Sequence, residues 1–193
     1  MTALSLYLFI FAGLFSPGPN VILLLASGAR FGFRATLPHV LGVAAGVGVT
    51  AGLTGAGLAA ILTGLPGLSR LLAIVAAGWI LWLAWTLLRA ARRTAPADAR
   101  PFTFGQAVLF QWVNPKVWAV ALAAASLAGG SDAPLAAGLH LGAAFACINL
   151  CVCLFYANAG QWLRRFLESE RSWRIFMSVM AGLLALSALL VFV

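Results

Sequence analysis

The stretches Phe15-Ser16-Pro17-Gly18-Pro19-Asn20-Val21 and Gln111-Trp112-Val113-Asn114-Pro115-Lys116-Val117 decide how this chain is read. Each lies inside a long apolar run and interrupts it with prolines and polar side chains. Proline has no N–H, so it leaves the carbonyl four residues earlier without its helical partner. In continuous helices those carbonyls belong to Gly13, Phe15 and Gln111. Unpaired backbone at membrane depth survives only where protein, water or a ligand satisfies it. Lys116 lies about ten residues into its run, and an ionisable residue at that depth marks a functional site by default.

Composition places both stretches in a membrane. The chain is 63% hydrophobic and 8% charged, against roughly 25% charged for a soluble domain. A core of 193 residues cannot hide that much apolar surface, so lipid must solvate most of it. Six runs reach the ~20 residues that a bilayer requires, at about 4–26, 39–63, 68–90, 105–127, 135–158 and 173–193. The first lacks a basic leader and is too long for a signal peptide, so it reads as a span. The expected fold is therefore an all-α polytopic membrane protein with six transmembrane helices. It forms a single transmembrane transporter domain over 1–193, with repeat 1 at about 1–90, a linker at 91–104 and repeat 2 at about 105–193.

The net charge of +8 would point to nucleic acid in a soluble protein, but here the arginines sit in loops. Arg30, Arg34, Arg89, Arg92, Arg93, Arg100, Arg164, Arg165, Arg171 and Arg174 all fall on one side; Arg70 falls on the other. The positive-inside rule puts both termini outside and the 91–104 linker in the cytoplasm, and no nucleic-acid partner is expected. Trp162 and Trp173 flank the last basic loop, as interfacial aromatics do.

Aligning the two opening stretches sets Pro19 on Pro115 and Asn20 on Lys116. Three spans separate the segments, so spans 1 and 4 run in opposite directions, giving an inverted 3+3 repeat with broken helices 1 and 4. Paired breaks of this kind point to a binding site near the bilayer midplane, with spans 1–3 rocking against 4–6. Freed carbonyls accept from an ammonium group. A restarting helix offers N–H groups and a positive dipole end to an anion. Asn20 and Asn114 add neutral donors and acceptors, and the whole suits a zwitterion such as an amino acid. The alternative is that the prolines only kink the helices for packing. No Asp or Glu lies within the spans, since Asp98, Asp132, Glu168 and Glu170 are all in loops. Lys116 therefore snorkels to the interface, sheds its proton, or takes a substrate carboxylate or backbone carbonyls as partner.

These motifs resemble the LysE/RhtB family of bacterial amino-acid exporters. The resemblance runs over the whole chain: Pro17-Gly18-Pro19-Asn20 in span 1, a glycine-rich span 2, a basic linker, and Asn114-Pro115-Lys116 in span 4. It implies gradient-driven export of an amino acid or derivative across the bacterial inner membrane, with H+ as the coupling ion, and it implies no enzyme activity. Members often carry a second Asn after the first and an acidic residue in span 2. Here position 21 is Val21 and Leu41–Thr63 holds no acid, which argues for a neutral rather than a cationic substrate.

The remaining motifs are weighed against packing. Gly42–Gly46 and Gly48–Gly52 let helix backbones approach within the chain, a homodimer through the glycine-rich second span being the alternative. Trp79, Trp82 and Trp85 form a packing or lipid-facing stripe, or else an aromatic wall for the substrate. Asn149 and Tyr156 share one face of span 5 and are candidate pathway residues. His39 and His140 fall near span ends, where interfacial solvation is expected rather than proton relay. Cys147, Cys151 and Cys153 share span 5 and read as packing, with a soft-metal site the minor option. No cofactor is expected. The candidate substrate-binding residues are Pro17, Gly18, Pro19, Asn20, Asn114, Pro115, Lys116, Asn149 and Tyr156. Efflux of a metal ion or another small metabolite on the same scaffold is the alternative function.

Overall fold

A computed structural model describes residues 2–57, 66–91, 100–129 and 133–189. Among these residues the secondary structure is helical, with no strand. Helix α1 (Ala3–Phe15) is N-capped by Thr2 and gives way to extended backbone at Ser16, as a residue before proline requires. Helix α2 (Pro19–Phe31) restarts with Pro19 in its first turn, where a missing N–H costs nothing. The same grammar recurs later. Helix α5 (Phe104–Val113) opens on a Thr103–Gln106 capping box, and Asn114 turns extended ahead of Pro115. Pro115 begins α6 (Pro115–Ala128). The two pairs bend by 58° and 66° at the breaks expected from the sequence.

Four further helices are straight enough to cross alone: α3 (Phe33–Gly55), α4 (Pro66–Ala90), α7 (Pro134–Leu163) and α8 (Glu170–Leu189). With each bent pair counted as one span, the described residues hold six. Each half thus runs as a bent pair followed by two long helices. Its boundaries differ from the hydropathic ones. Helix α3 starts six residues before position 39, released from α2 by Gly32 at φ +87°. Helices α2 and α7 run beyond positions 26 and 158, because helical hydrogen bonding continues through polar residues after apolarity stops. Residues 58–63 of span 2, positions 190–193, Asp132, and Arg92, Arg93 and Asp98 of the linker lie outside the described residues.

The ends of the bundle are identified by their bonds. At the basic end, Phe33 N–H donates to Gln161 Oε1 at 2.7 Å, and the Trp173 indole donates to the Ala90 carbonyl at 2.9 Å. Trp173, expected as an interfacial anchor, therefore also ties α8 to α4. At the other end Tyr7 Oη and His140 Nε2 are 3.0 Å apart. Arg30 closes α2 and Thr103 opens α5 at the same basic end, so α1–α2 runs toward it and α5–α6 runs away from it.

The halves interlock. The bent pair α1–α2 lies along α7, and the bent pair α5–α6 lies along α3, while α3 and α7 pack on each other. Glycine makes these approaches possible. A Cβ at Gly142 would stand 2.8 Å from the Gly48 carbonyl oxygen, and one at Gly138 would stand 2.6 Å from that of Gly52. On the flanks, Gly28 abuts the Ala157 carbonyl, Gly160 that of Leu25, and Gly42 that of Phe104. Gly42, Gly46, Gly48, Gly52 and Gly55 of α3 are thus packed inside the chain. Rocking of spans 1–3 against 4–6 would have to part these close backbone approaches between the halves. The apolar core instead divides into a cluster on α1–α3 and α5–α7, and a second built mainly on α4 and α8 with parts of α2 and α5. The tryptophan stripe faces outward on α4: Trp82 and Trp85 are exposed, and Trp79 packs edge-on against Phe110.

Replacing Gly142 by Leu drives a side chain into the Gly48 backbone. Overpacking of this kind costs about 1–3 kcal/mol. The unfolding temperature of purified Gly142→Leu falls by several degrees, whereas Gly78→Leu, at a site with nothing within 4 Å, unfolds as the parent does. Thermal unfolding of the two variants in detergent checks this.

Candidate functional site

The two breaks meet in the middle of the bundle, where α1–α2 faces α5–α6. The three carbonyls expected to stand open there are all satisfied. Gly13 O accepts from Ser16 Oγ at 2.9 Å, Phe15 O from the Tyr156 hydroxyl at 3.0 Å, and Gln111 O from the Asn114 N–H at 3.3 Å. This corrects the expectation from continuous helices. The chain unwinds instead of kinking, so the carbonyls that reach inward belong to Ser16 and Pro17. Both accept from the Lys116 ammonium, Pro17 at 3.4 Å. Of the fates open to Lys116, backbone carbonyls are the one observed. Gly18 makes room for it, since a Cβ there would stand 2.7 Å from Lys116 Cδ.

Beside the lysine lies an amide network centred on Gln111, which is fully buried. Asn20 Nδ2 donates to Gln111 Oε1 at 2.7 Å, and Gln111 Nε2 donates to Asn20 Oδ1 at 3.2 Å and to the Ala107 carbonyl at 2.8 Å. Asn114 Nδ2 reaches Gln111 Oε1 at 3.5 Å. Reading the sequence missed Gln111 as a side chain. Its signal was an amide in the interior of an apolar helix, three residues before Asn114-Pro115-Lys116.

Asn20, Asn114, Lys116, Asn149 and Cys153 help to line a small cavity of about 20 Å³, room for about one water. Asn149 Nδ2 and Asn114 Oδ1 are buried and have no hydrogen-bond partner among the described residues. On the other side of the breaks, Pro17, Pro19, Pro115, Lys116 and Ser187 border a wider opening of about 250 Å³ toward α8. Eight of the nine residues singled out from the sequence line one or both spaces. The ninth, Tyr156, stands behind them and fixes the end of α1 through Phe15. The arrangement sets a cation, and an amide donor and an amide acceptor without partners among the described residues, along one otherwise largely apolar cavity. That set complements a carboxylate and an ammonium held together. Among the described residues no group of three His, Cys, Asp or Glu side chains could hold a metal ion, and Cys147 and Cys151 are exposed.

Comparison with known proteins places the chain in a family. The chain is 39% identical over 105 residues to a cysteine/O-acetylserine efflux protein of Salmonella choleraesuis, and equally to that of Salmonella typhimurium, covering 53% of this chain and 52% of theirs. It is 32% identical over 103 residues to the cysteine/O-acetylserine efflux protein of Escherichia coli, with 53% and 52% covered. These matches span about half the length of the curated relatives. No solved structure matches the chain significantly. The family model described as LysE type translocator matches residues 11–193, nearly the whole sequence. The chain therefore belongs to the LysE type translocator family, whose members are transporters and not enzymes.

Proposed function

We propose that this protein exports a neutral amino acid or amino-acid derivative across the bacterial inner membrane, with the site at the two breaks as its substrate site. The observation that carries the reading is Lys116 resting on the Ser16 and Pro17 carbonyls, with an unpaired amide donor and acceptor close by. The lysine occupies the place that a substrate ammonium would take. When a zwitterion enters, its carboxylate draws the Lys116 ammonium and the Asn149 amide, and its amino group takes the vacated carbonyls. Lys116 and the two carbonyls each exchange one partner for another, and the Asn149 amide gains one. The described lining of both spaces holds no carboxylate to receive a cationic side chain, which favours a neutral cargo. The relatives' names make L-cysteine and O-acetyl-L-serine the first candidates.

Orientation follows from the basic end, which the positive-inside rule assigns to the cytoplasm together with the 91–104 linker, leaving both termini outside. The smaller cavity is too tight for an amino acid, so the structure corresponds to a closed state. The wider space, which α8 borders through Ser187, opens further when α8 moves with α4 against the other helices. A proton gradient supplies the drive in this reading.

Inside-out vesicles holding the protein accumulate labelled O-acetyl-L-serine or L-cysteine when the interior is acid, and a protonophore abolishes the accumulation. Hydrogen bonds to a charged group are worth about 1.5–3 kcal/mol each, so Lys116→Ala lowers uptake at least about tenfold while still inserting normally. Unchanged uptake by inserted Lys116→Ala protein would remove the site assignment. Gln111→Leu strands the Asn20 and Asn114 amides at a cost of about 1–3 kcal/mol. Its initial rate at low substrate falls by a similar factor, whereas Trp82→Ala, on the outer face of α4, transports as the parent does.

A further inference from the structure

A second cavity, of about 80 Å³, lies at the basic end among α2, α3, α4 and the segment leading into α5. Ser27, Arg30, His39, Thr86, Arg100 and Phe102 are among its lining residues, and the described lining includes no carboxylate. Histidine 39 was expected at the solvated interface. Instead His39 is only 2% exposed, because α3 begins early and Phe102 covers the ring at 5.1 Å between centroids. Neither ring nitrogen has a hydrogen-bond partner among the described residues. A buried imidazole without partners is costly and calls for a ligand that supplies them.

The hydroxyls at this cavity have their protons committed elsewhere. Thr86 Oγ1 donates to the Leu83 carbonyl at 2.7 Å. Thr36 Oγ1 donates to the Gly32 carbonyl at 2.9 Å, so Ser27 Oγ, 2.9 Å from Thr36 Oγ1, must be the donor in that pair. Ser27 and Thr86 therefore keep lone pairs, and a neutral imidazole adds one acceptor nitrogen. Two guanidinium groups supply donors in a fork that matches a carboxylate. A phosphate headgroup would use the arginines but leave the acceptors idle; an amino acid uses both. Ser27 also lies seven residues beyond Asn20 on the same face of α2, about 10 Å along the helix.

We propose that this cavity is a second binding station for the exported amino acid, reached from the basic end before the site at the breaks. Arg30 and Arg100 take the carboxylate; His39, Ser27 and Thr86 take the amino group. The inference rests on the exporter reading above and adds a place where cargo waits.

The chain contains two histidines, so isotope-labelled histidine gives two imidazole signals, and His140→Gln assigns that of His39. The full chain is placed in phosphatidylcholine nanodiscs and titrated with O-acetyl-L-serine, L-cysteine and acetate. The His39 signal shifts saturably with at least one of the amino acids, and does so equally in Lys116→Ala, which lacks the other site. Arg30→Gln and Arg100→Gln each weaken that titration by about tenfold or more. A His39 signal unmoved by both amino acids overturns the station. So does one that moves only when phosphatidylglycerol replaces phosphatidylcholine, which marks a lipid headgroup site. Acetate matching the amino acids in affinity removes the ammonium arm. Vesicle export separates the two readings: export without a His39 shift ends the station alone, whereas a shift with acetate but neither amino acid, and no export, ends the amino-acid assignment of both.

Discussion

Hydrocarbon offers nothing to a bare carbonyl, and the rest of this molecule is arranged around that fact. Two helices are interrupted at their middles, and each interruption sets backbone groups adrift where water is scarce. The chain recovers them with side chains from far along the sequence. Tyr156 takes one carbonyl on α1, and Lys116 takes the next two. A residue that looks like an electrostatic burden is thus a hydrogen-bond donor for which the first half of the chain has a standing need. The same logic ties the polar pocket to stability, because any ligand that displaces Lys116 must offer an ammonium in return.

Such long-range bonds demand that the two halves sit close, and glycine provides the closeness. Where α3 crosses α7, the backbone at Gly48 and Gly52 closely approaches that at Gly138 and Gly142. What remains less firmly embedded is the pair α4 and α8, which packs on itself and leans on α2 and α5 near the basic end. The wider space between the breaks and Ser187 lies on the side where this pair faces α6 without comparable packing among the described residues. The division between the two apolar clusters therefore cuts across the sequence repeat instead of following it.

The breaks, the lysine deep in an apolar run and the number of spans were legible in the sequence because each is a local conflict. Proline in an apolar run and charge at depth violate the solvent's rules wherever they occur. What escaped was relational. Gln111 reads as one polar residue on an apolar helix until Asn20 and Asn114 are brought against it from either side of the breaks. His39 reads as an interfacial residue while hydropathy sets the start of its helix. The actual start depends on Gly32 adopting a left-handed turn, and the burial depends on Phe102 arriving from beyond the linker. The three proline-freed carbonyls were named correctly for ideal helices, but unwinding shifted the exposed ones by one to two residues, a choice fixed only by packing.

The bond from Lys116 to Ser16 spans 100 residues of chain. A ribosome adding about 5–20 residues per second takes roughly 5–20 s to cover that interval. Throughout it the first broken span has left the exit tunnel while its donor has yet to be made, and α7, which supplies Tyr156 and the opposing glycines, comes later still. The nascent first half must spend those seconds beside the insertion machinery or at the headgroup layer, where water can stand in for the missing lysine. The bonds that hold the first break, from Lys116 and Tyr156, can therefore form only after the second half has been made.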